Sequence, residues 1–282
     1  MLVMVSVSSA LFAWLGASLI GLVTLRKGPS EGAFLLFWAI LPAIFLSMRL
    51  GDINPLAQLV GTFFLATILR RTMSLSFTML VTLPIGLLFG VLLLWFSPSM
   101  IAHIVGVFAE LIASLKEQME NAGQMVMLKT PGESLVIGMV GIANLAAAIL
   151  CLLLARFWQA SLYNPGGFGK EFRALSFSPV IAFPLAIGFA VLANLDGYES
   201  WAGFFGLPLT VTGIAIVHAK AQNWTSPLLG LSFFYVIWLM IDLAKLLLLL
   251  LALIDSVYDF RSKWPRAVSS AEQHKDDKSD DV

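Results

Sequence analysis

Two charges stand where charges are costly. Asp242 and Lys245 interrupt an apolar run, with SFFYVIWLMI before them and LLLLLLALI after. An ionisable group at that depth is unfavourable unless it is paired or faces a cavity. Three residues apart on a helix, the two can neutralise each other. Facing a cavity, they would handle a polar solute or a proton. Asn144, inside another apolar run, is a third polar group able to join them. His218, in VTGIAIVHAKAQNW, is a fourth, at the end of a further run. A lone histidine there also serves as a hydrogen-bonding group at the membrane surface.

Asp255 and Asp259, in LIDSVYDFRSKW, are four apart and share a helix face. Paired carboxylates allow a cation site. The other reading is a helix end at the interface, anchored by Tyr258 and Trp264. His103 and His274 have no partners at metal-ligand spacing, so no zinc pattern and no metal site is expected.

The stretch RFWQASLYNPGGFGKEFRAL, residues 156–175, separates two apolar runs and resembles neither. Pro165 disfavours helix at Asn164, and Gly166 with Gly167 permits a tight turn. Around the turn stand Arg156, Trp158, Gln159, Tyr163 and Asn164, then Lys170, Glu171 and Arg173. They form either a binding or gating loop or an interfacial anchor. The phosphate-loop spacing GxxxxGK[ST] is absent. A last pattern is a ladder of small residues, Ser9, Ala13, Ala17 and Gly21, every four residues. Such a ladder lets two membrane helices approach closely, within the bundle or in a second protein.

Composition places these groups in lipid. The 282 residues are 59% hydrophobic and only 12% charged, with mean hydropathy +0.90. That is about half the charge of a soluble domain. Lysine plus arginine equals aspartate plus glutamate, 17 each, so no basic field for nucleic acid exists. The lone Cys151 can form no internal disulfide and reads as a buried small apolar residue.

Eight runs have membrane-span length: 2–25, 32–49, 55–69, 74–97, 135–155, 178–195, 202–219 and 228–254. In hydrocarbon, backbone groups must bond internally, so these runs predict helices, and no period-two alternation suggests a barrel. The third run is short enough to dip without crossing. The first is read as a retained span rather than a secretory signal. The last continues as helix to about residue 260, roughly 50 Å in all. Residues 98–133 are amphipathic and predict a helix lying along the interface. The expectation is an all-α, polytopic, single-domain bundle over 1–260 with a disordered polar tail at 261–282. Basic residues divide eight against eight between the two sides, so they do not orient the chain. Arg261, Lys263 and Arg266 directly after the last span place the tail in the cytoplasm. No fixed-period repeat is visible.

Three segments together, LLLARFWQASLYNPGGFGKEFRAL, GIAIVHAKAQ and LALIDSVYDFRSKW, resemble the YybS-like family of bacterial multipass membrane proteins. LVTLRKG, WAILPAIFL and GDINPL are similar to its proteobacterial branch. The resemblance implies an inner-membrane location. It also implies a distant similarity to the solute-binding S components of energy-coupling-factor transporters. Those dock on a membrane partner through an Ala-xxx-Ala face of the first helix, which Ala13 and Ala17 match and Ser9 and Gly21 extend. S components have six spans, whereas eight are counted in this chain.

The leading expectation is therefore a non-enzymatic, cofactor-free membrane protein that binds a small polar solute. Its cavity would draw on Asp242, Lys245, Asn144 and His218, with the 156–173 loop at the mouth. The alternative is a structural or assembly partner in the envelope that holds no solute. No nucleophile–base pair is readable, so an intramembrane enzyme ranks last.

Overall fold

Apolar sequence without water to satisfy its backbone becomes helix, and the described chain is helical throughout. A computed structural model of the protein describes residues 2–123 and 128–264, with side chains from residue 13 onward except at residue 50. Eleven α-helices occur among them, with no strand. They are α1 (Leu2–Lys27), α2 (Pro29–Leu50), α3 (Asn54–Thr72), α4 (Leu75–Phe96), α5 (Pro98–Asn121) and α6 (Glu133–Tyr163). After these come α7 (Gly167–Arg173), α8 (Pro179–Ala193), α9 (Ala202–Ala221), α10 (Pro227–Met240) and α11 (Asp242–Tyr258). Of the expected disordered tail, residues 261–264 are described, with Phe260–Lys263 a short 3₁₀ helix, and residues 265–282 lie outside the described residues.

Among the described residues, five stretches are long and apolar enough to cross a membrane: Pro29–Arg49, Leu75–Phe96, Pro98–Asn121, Glu133–Tyr163 and Glu199–Ala221. The bent pair α10–α11 makes a sixth if it counts as one span. Pro179–Ala193 is apolar but shorter. The amphipathic segment is thus a helix long and apolar enough to span, so length and composition admit both a crossing and an interfacial position. Only Ile101 of α5 is buried.

The chain divides into two compact units, changing from one to the other after Phe172 at the end of α7, at Pro184 inside α8 and after Pro208 inside α9. In the first unit α1, α3 and α6 pack on one another. α2 lies against α1 and α3, α4 against α3 and α6, and α5 against α6 and α4. One core cluster joins Ala17, Ile20, Leu36, Ala43, Leu59 and Cys151, so the cysteine is a buried packing residue as expected. A second joins Leu93, Ile101, Val136 and Ile137. Two buried hydroxyls find acceptors one turn back: Thr24 Oγ1 donates to the Ile20 carbonyl at 2.7 Å and Thr78 Oγ1 to that of Ser74 at 2.8 Å. That local bonding lets threonine sit in an apolar core. α6, with 31 residues, is about 46 Å long, more than the roughly 30 Å of bilayer hydrocarbon. The surplus length is enough to carry its last turns, with Arg156, Trp158 and Tyr163, beyond the hydrocarbon.

The second unit holds the 173–183 segment, the rest of α9, α10 and α11. α9 approaches α11 so closely at Gly213 that a Cβ there would stand 2.6 Å from the Leu248 carbonyl oxygen. Small residues allow such backbone contact where apolar burial supplies little drive.

The expected single helix over 228–254 is corrected here. It is two helices meeting at 113°, with Ile241 extended (φ −119°, ψ 111°) between them. The break places Asp242 in the first turn of α11, where a carboxylate faces the positive end of the helix dipole. A continuous helix would have held the same carboxylate mid-span. With 14 and 17 residues the two helices are about 21 and 26 Å long, each shorter than the hydrocarbon layer.

Candidate functional site

The polar residues singled out in the sequence separate into distinct settings. Asp242 and Lys245 do pair, Nζ to Oδ1 at 2.7 Å, but at the surface: the Asp242 side chain is 95% exposed. A turning point carrying two exposed charges cannot sit in hydrocarbon. Asp242→Cys in a Cys151→Ala background is therefore expected to react with a membrane-impermeant maleimide. Leu249→Cys, at a buried position on the same helix, is the unreactive control. Equal protection of both positions would contradict a water-facing break.

His218 is half-buried and hydrogen-bonded to the Tyr235 hydroxyl at 2.8 Å, joining α9 to α10. Arg173 is close enough for its charge to act on His218, and burial pulls the Arg173 guanidinium below its ordinary pKa. In the same unit Asp255 does not share a cation with Asp259. Its Oδ2 takes Arg261 Nη2 at 2.7 Å, and its Oδ1 takes the Phe260 amide at 3.0 Å. Asp259 is the exposed left-handed cap of α11. Arg261 Nη1 donates to the carbonyls of Arg173 and Leu175, both at 2.7 Å. Trp264 and Tyr258 take Lys220 and Lys263 over their rings.

The 156–173 stretch folds onto itself. Its turn needs positive φ at Gly166 (81°), and α7 then carries Glu171 back to Arg156. Arg156 Nε donates to Glu171 Oε2 and Nη1 to Gln159 Oε1, each at 2.7 Å. Gln159 Nε2 reaches the Leu25 carbonyl at 3.2 Å, which Arg70 also contacts. Tyr163 lies under the Arg26 guanidinium at 3.9 Å. The charges that suggested a binding mouth are largely engaged in clamping α6, α7 and the end of α1. Trp158 is half-buried, while Asn164 and Lys170 are exposed.

The small-residue ladder is occupied within the chain. Ala17 is fully buried, and a Cβ on Gly21 would stand 3.0 Å from Ala155 Cβ and 3.2 Å from Thr62 Cγ2. This face of α1 therefore packs on α3 and α6 at both residues. Ser9 lies outside the described side chains. Ala17→Leu is expected to lower stability by about 1–3 kcal/mol through overpacking, read as a thermal shift in detergent. An unchanged melt would mean that the ladder faces outward.

Asn144 leads to a site that the sequence did not assemble. A recess of about 310 Å³ opens between α1, the α2–α3 turn and α6. Its polar lining is Asp52, Asn54, Gln58 and Asn144. Its apolar lining includes Ala13, Trp14 and Val140. Asn144 Nδ2 donates to the Val140 carbonyl at 2.9 Å and to Asn54 Oδ1 at 2.6 Å. Because a backbone carbonyl only accepts, the nitrogen's place is set, and Oδ1 is left as the free atom. Asn144 Oδ1 and Gln58 Oε1 are buried and accept no hydrogen bond. Both residues are more than nine-tenths buried. Asp52 Oδ1 accepts the Asn54 amide at 3.0 Å and so starts α3. The sequence signal was present, in GDINPLAQ, but nothing in its spacing tied it to Asn144, ninety positions from Asn54.

No protein-family model, curated protein or solved structure matches the chain.

Proposed function

We propose that the chain is a non-enzymatic multipass membrane protein that binds a small polar solute in the recess of the first unit, as a component of a transport system. The observation that carries this reading is the pair of buried, unsatisfied oxygens on Gln58 and Asn144. Burying an acceptor without a donor is unfavourable by roughly 1–3 kcal/mol. A fold that keeps two of them on one recess has a use for a ligand that donates. The proposal retains the resemblance to the YybS-like family and, through it, to energy-coupling-factor S components. It retains seven of the eight expected crossings, by α1, α2, α3, α4, α6, α8 and α9, with α5 at the interface and the break between α10 and α11 in water. It places the protein in the bacterial inner membrane with the tail in the cytoplasm. A partner docking on the first helix would have to use residues other than Ala17 and Gly21.

Native mass spectrometry of the full chain, extracted from its host in mild detergent, tests the reading. The expected spectrum shows a small non-lipid adduct on the wild type that Asn144→Leu does not carry. A wild type carrying lipid alone would end the solute-binding proposal and leave an assembly role.

A further inference from the structure

We infer that the recess takes a small organic cation, an alkylammonium group on a short apolar body. This rests on the solute-binding reading and names the ligand class for that same site. The lining carries one charge, the Asp52 carboxylate, and its two buried side-chain atoms without a partner are both oxygens. Gln58 Oε1 and Asn144 Oδ1 have no donor, and Asp52 Oδ2 has no partner among the described residues. No lysine, arginine or histidine lines the recess, and Asp52 enters no described ion pair. One carboxylate and two amide oxygens ask for three N–H donors and one positive charge, which is what a primary ammonium supplies.

The start of α3 sets a positive helix end beside the recess. Asp52 Oδ1 answers it through the Asn54 amide, which leaves Oδ2 for a ligand. An anionic solute would meet the Asp52 carboxylate with no cation to offset it. A neutral alcohol could satisfy one acceptor and leave the carboxylate uncompensated. Size separates the organic from the inorganic cation. A recess of 310 Å³ is at the small-molecule scale, and a bare monovalent ion would leave most of it unfilled. The remaining walls, Ala13, Pro55, Val140 and Ala147, suit an alkyl body. Trp14 adds an aromatic surface of the kind that attracts ammonium groups.

The test uses the full chain in detergent with Cys151→Ala and Ala143→Cys, which puts one thiol on the exposed wall of the recess. Alkylation by N-ethylmaleimide is timed with propylammonium chloride, 1-propanol, sodium propionate or sodium chloride at equal millimolar concentration. Propylammonium alone is expected to slow the reaction. Asp52→Asn, which keeps an oxygen to cap α3 but removes the charge, should weaken that protection about ten-fold or more. Protection by propanol or propionate equal to that by propylammonium would leave a solute site standing but overturn the ammonium assignment. Protection by sodium chloride alone would make it a bare-ion site and overturn it too. If no probe protects, both the assignment and the solute-binding reading fall.

Discussion

Arg261→Ala is expected to lower stability by about 3–5 kcal/mol, the cost of leaving a buried carboxylate without its counter-ion. The Arg261 and Asp255 side chains are only 12% and 2% exposed. Water cannot replace the guanidinium without opening the end of α11. The same substitution also strips the Arg173 and Leu175 carbonyls of a shared donor. Arg261 therefore holds three acceptors at once, and Asp255→Ala, which frees the arginine but keeps those two carbonyl bonds, should cost less. Unfolding in mixed micelles of denaturing and mild detergent gives both values. A loss below about 1 kcal/mol for Arg261→Ala would mean a solvated surface pair instead. Its consequence beyond stability is local. Without Arg261 the 173–175 segment loses its tie to the end of α11, and Arg173 its fixed position near His218.

Phe204→Ala is expected to cost about 3 kcal/mol in the first unit. The ring is fully buried and sits in a notch made by two glycines. A Cβ at Gly86 would stand 2.6 Å from it and one at Gly141 2.7 Å. Removing the ring leaves an apolar cavity between α4, α6 and the start of α9 that backbone glycines cannot fill. In lipid the loss is of packing rather than of water exclusion, and close packing is what holds such helices together. Gly141→Val should be comparably damaging from the other side, since the added methyls meet the ring instead of vacating it. The pair Gly141→Val with Phe204→Leu should recover part of the loss, measured by thermal melting of the detergent-solubilised chain. Additive losses in that pair would show that the ring does not occupy the notch.

Several features were legible because they depend on local composition. The helical class follows from apolar length alone, and the ends of most helices fall within a few residues of the runs that predicted them. Pro29, Pro98 and Pro227 mark helix starts, where a missing N–H costs nothing. The Asp242–Lys245 pair formed because it needs only one helical turn. The break at Ile241 was not legible. It contains neither proline nor glycine, and the apolar run resumes beyond Asp242 and Lys245 as it would along a continuous helix. In the 156–173 stretch only the turn at Asn164–Gly166 was legible: residues 156–163 continue α6 and 167–173 form α7, and the charges were free to point anywhere until α7 folded back and brought Glu171 to Arg156.

What the amino-acid sequence determined by itself is the medium and the secondary structure: a chain this apolar must sit in lipid and must be helical there. It also determined the polar groups that such a chain could retain. Which of those groups meet was decided by tertiary packing. Asn144 met Asn54 beside a recess that Gln58 also lines, and Asp255 met Arg261 rather than a second carboxylate. The small ladder of α1 was filled by α3 and α6. The physical reason is that helix periodicity fixes neighbours only three or four positions apart, while a site between helices depends on how their side chains interlock. Uniformly apolar helices carry little information about which face turns inward, so their few polar atoms found partners only once the bundle had closed.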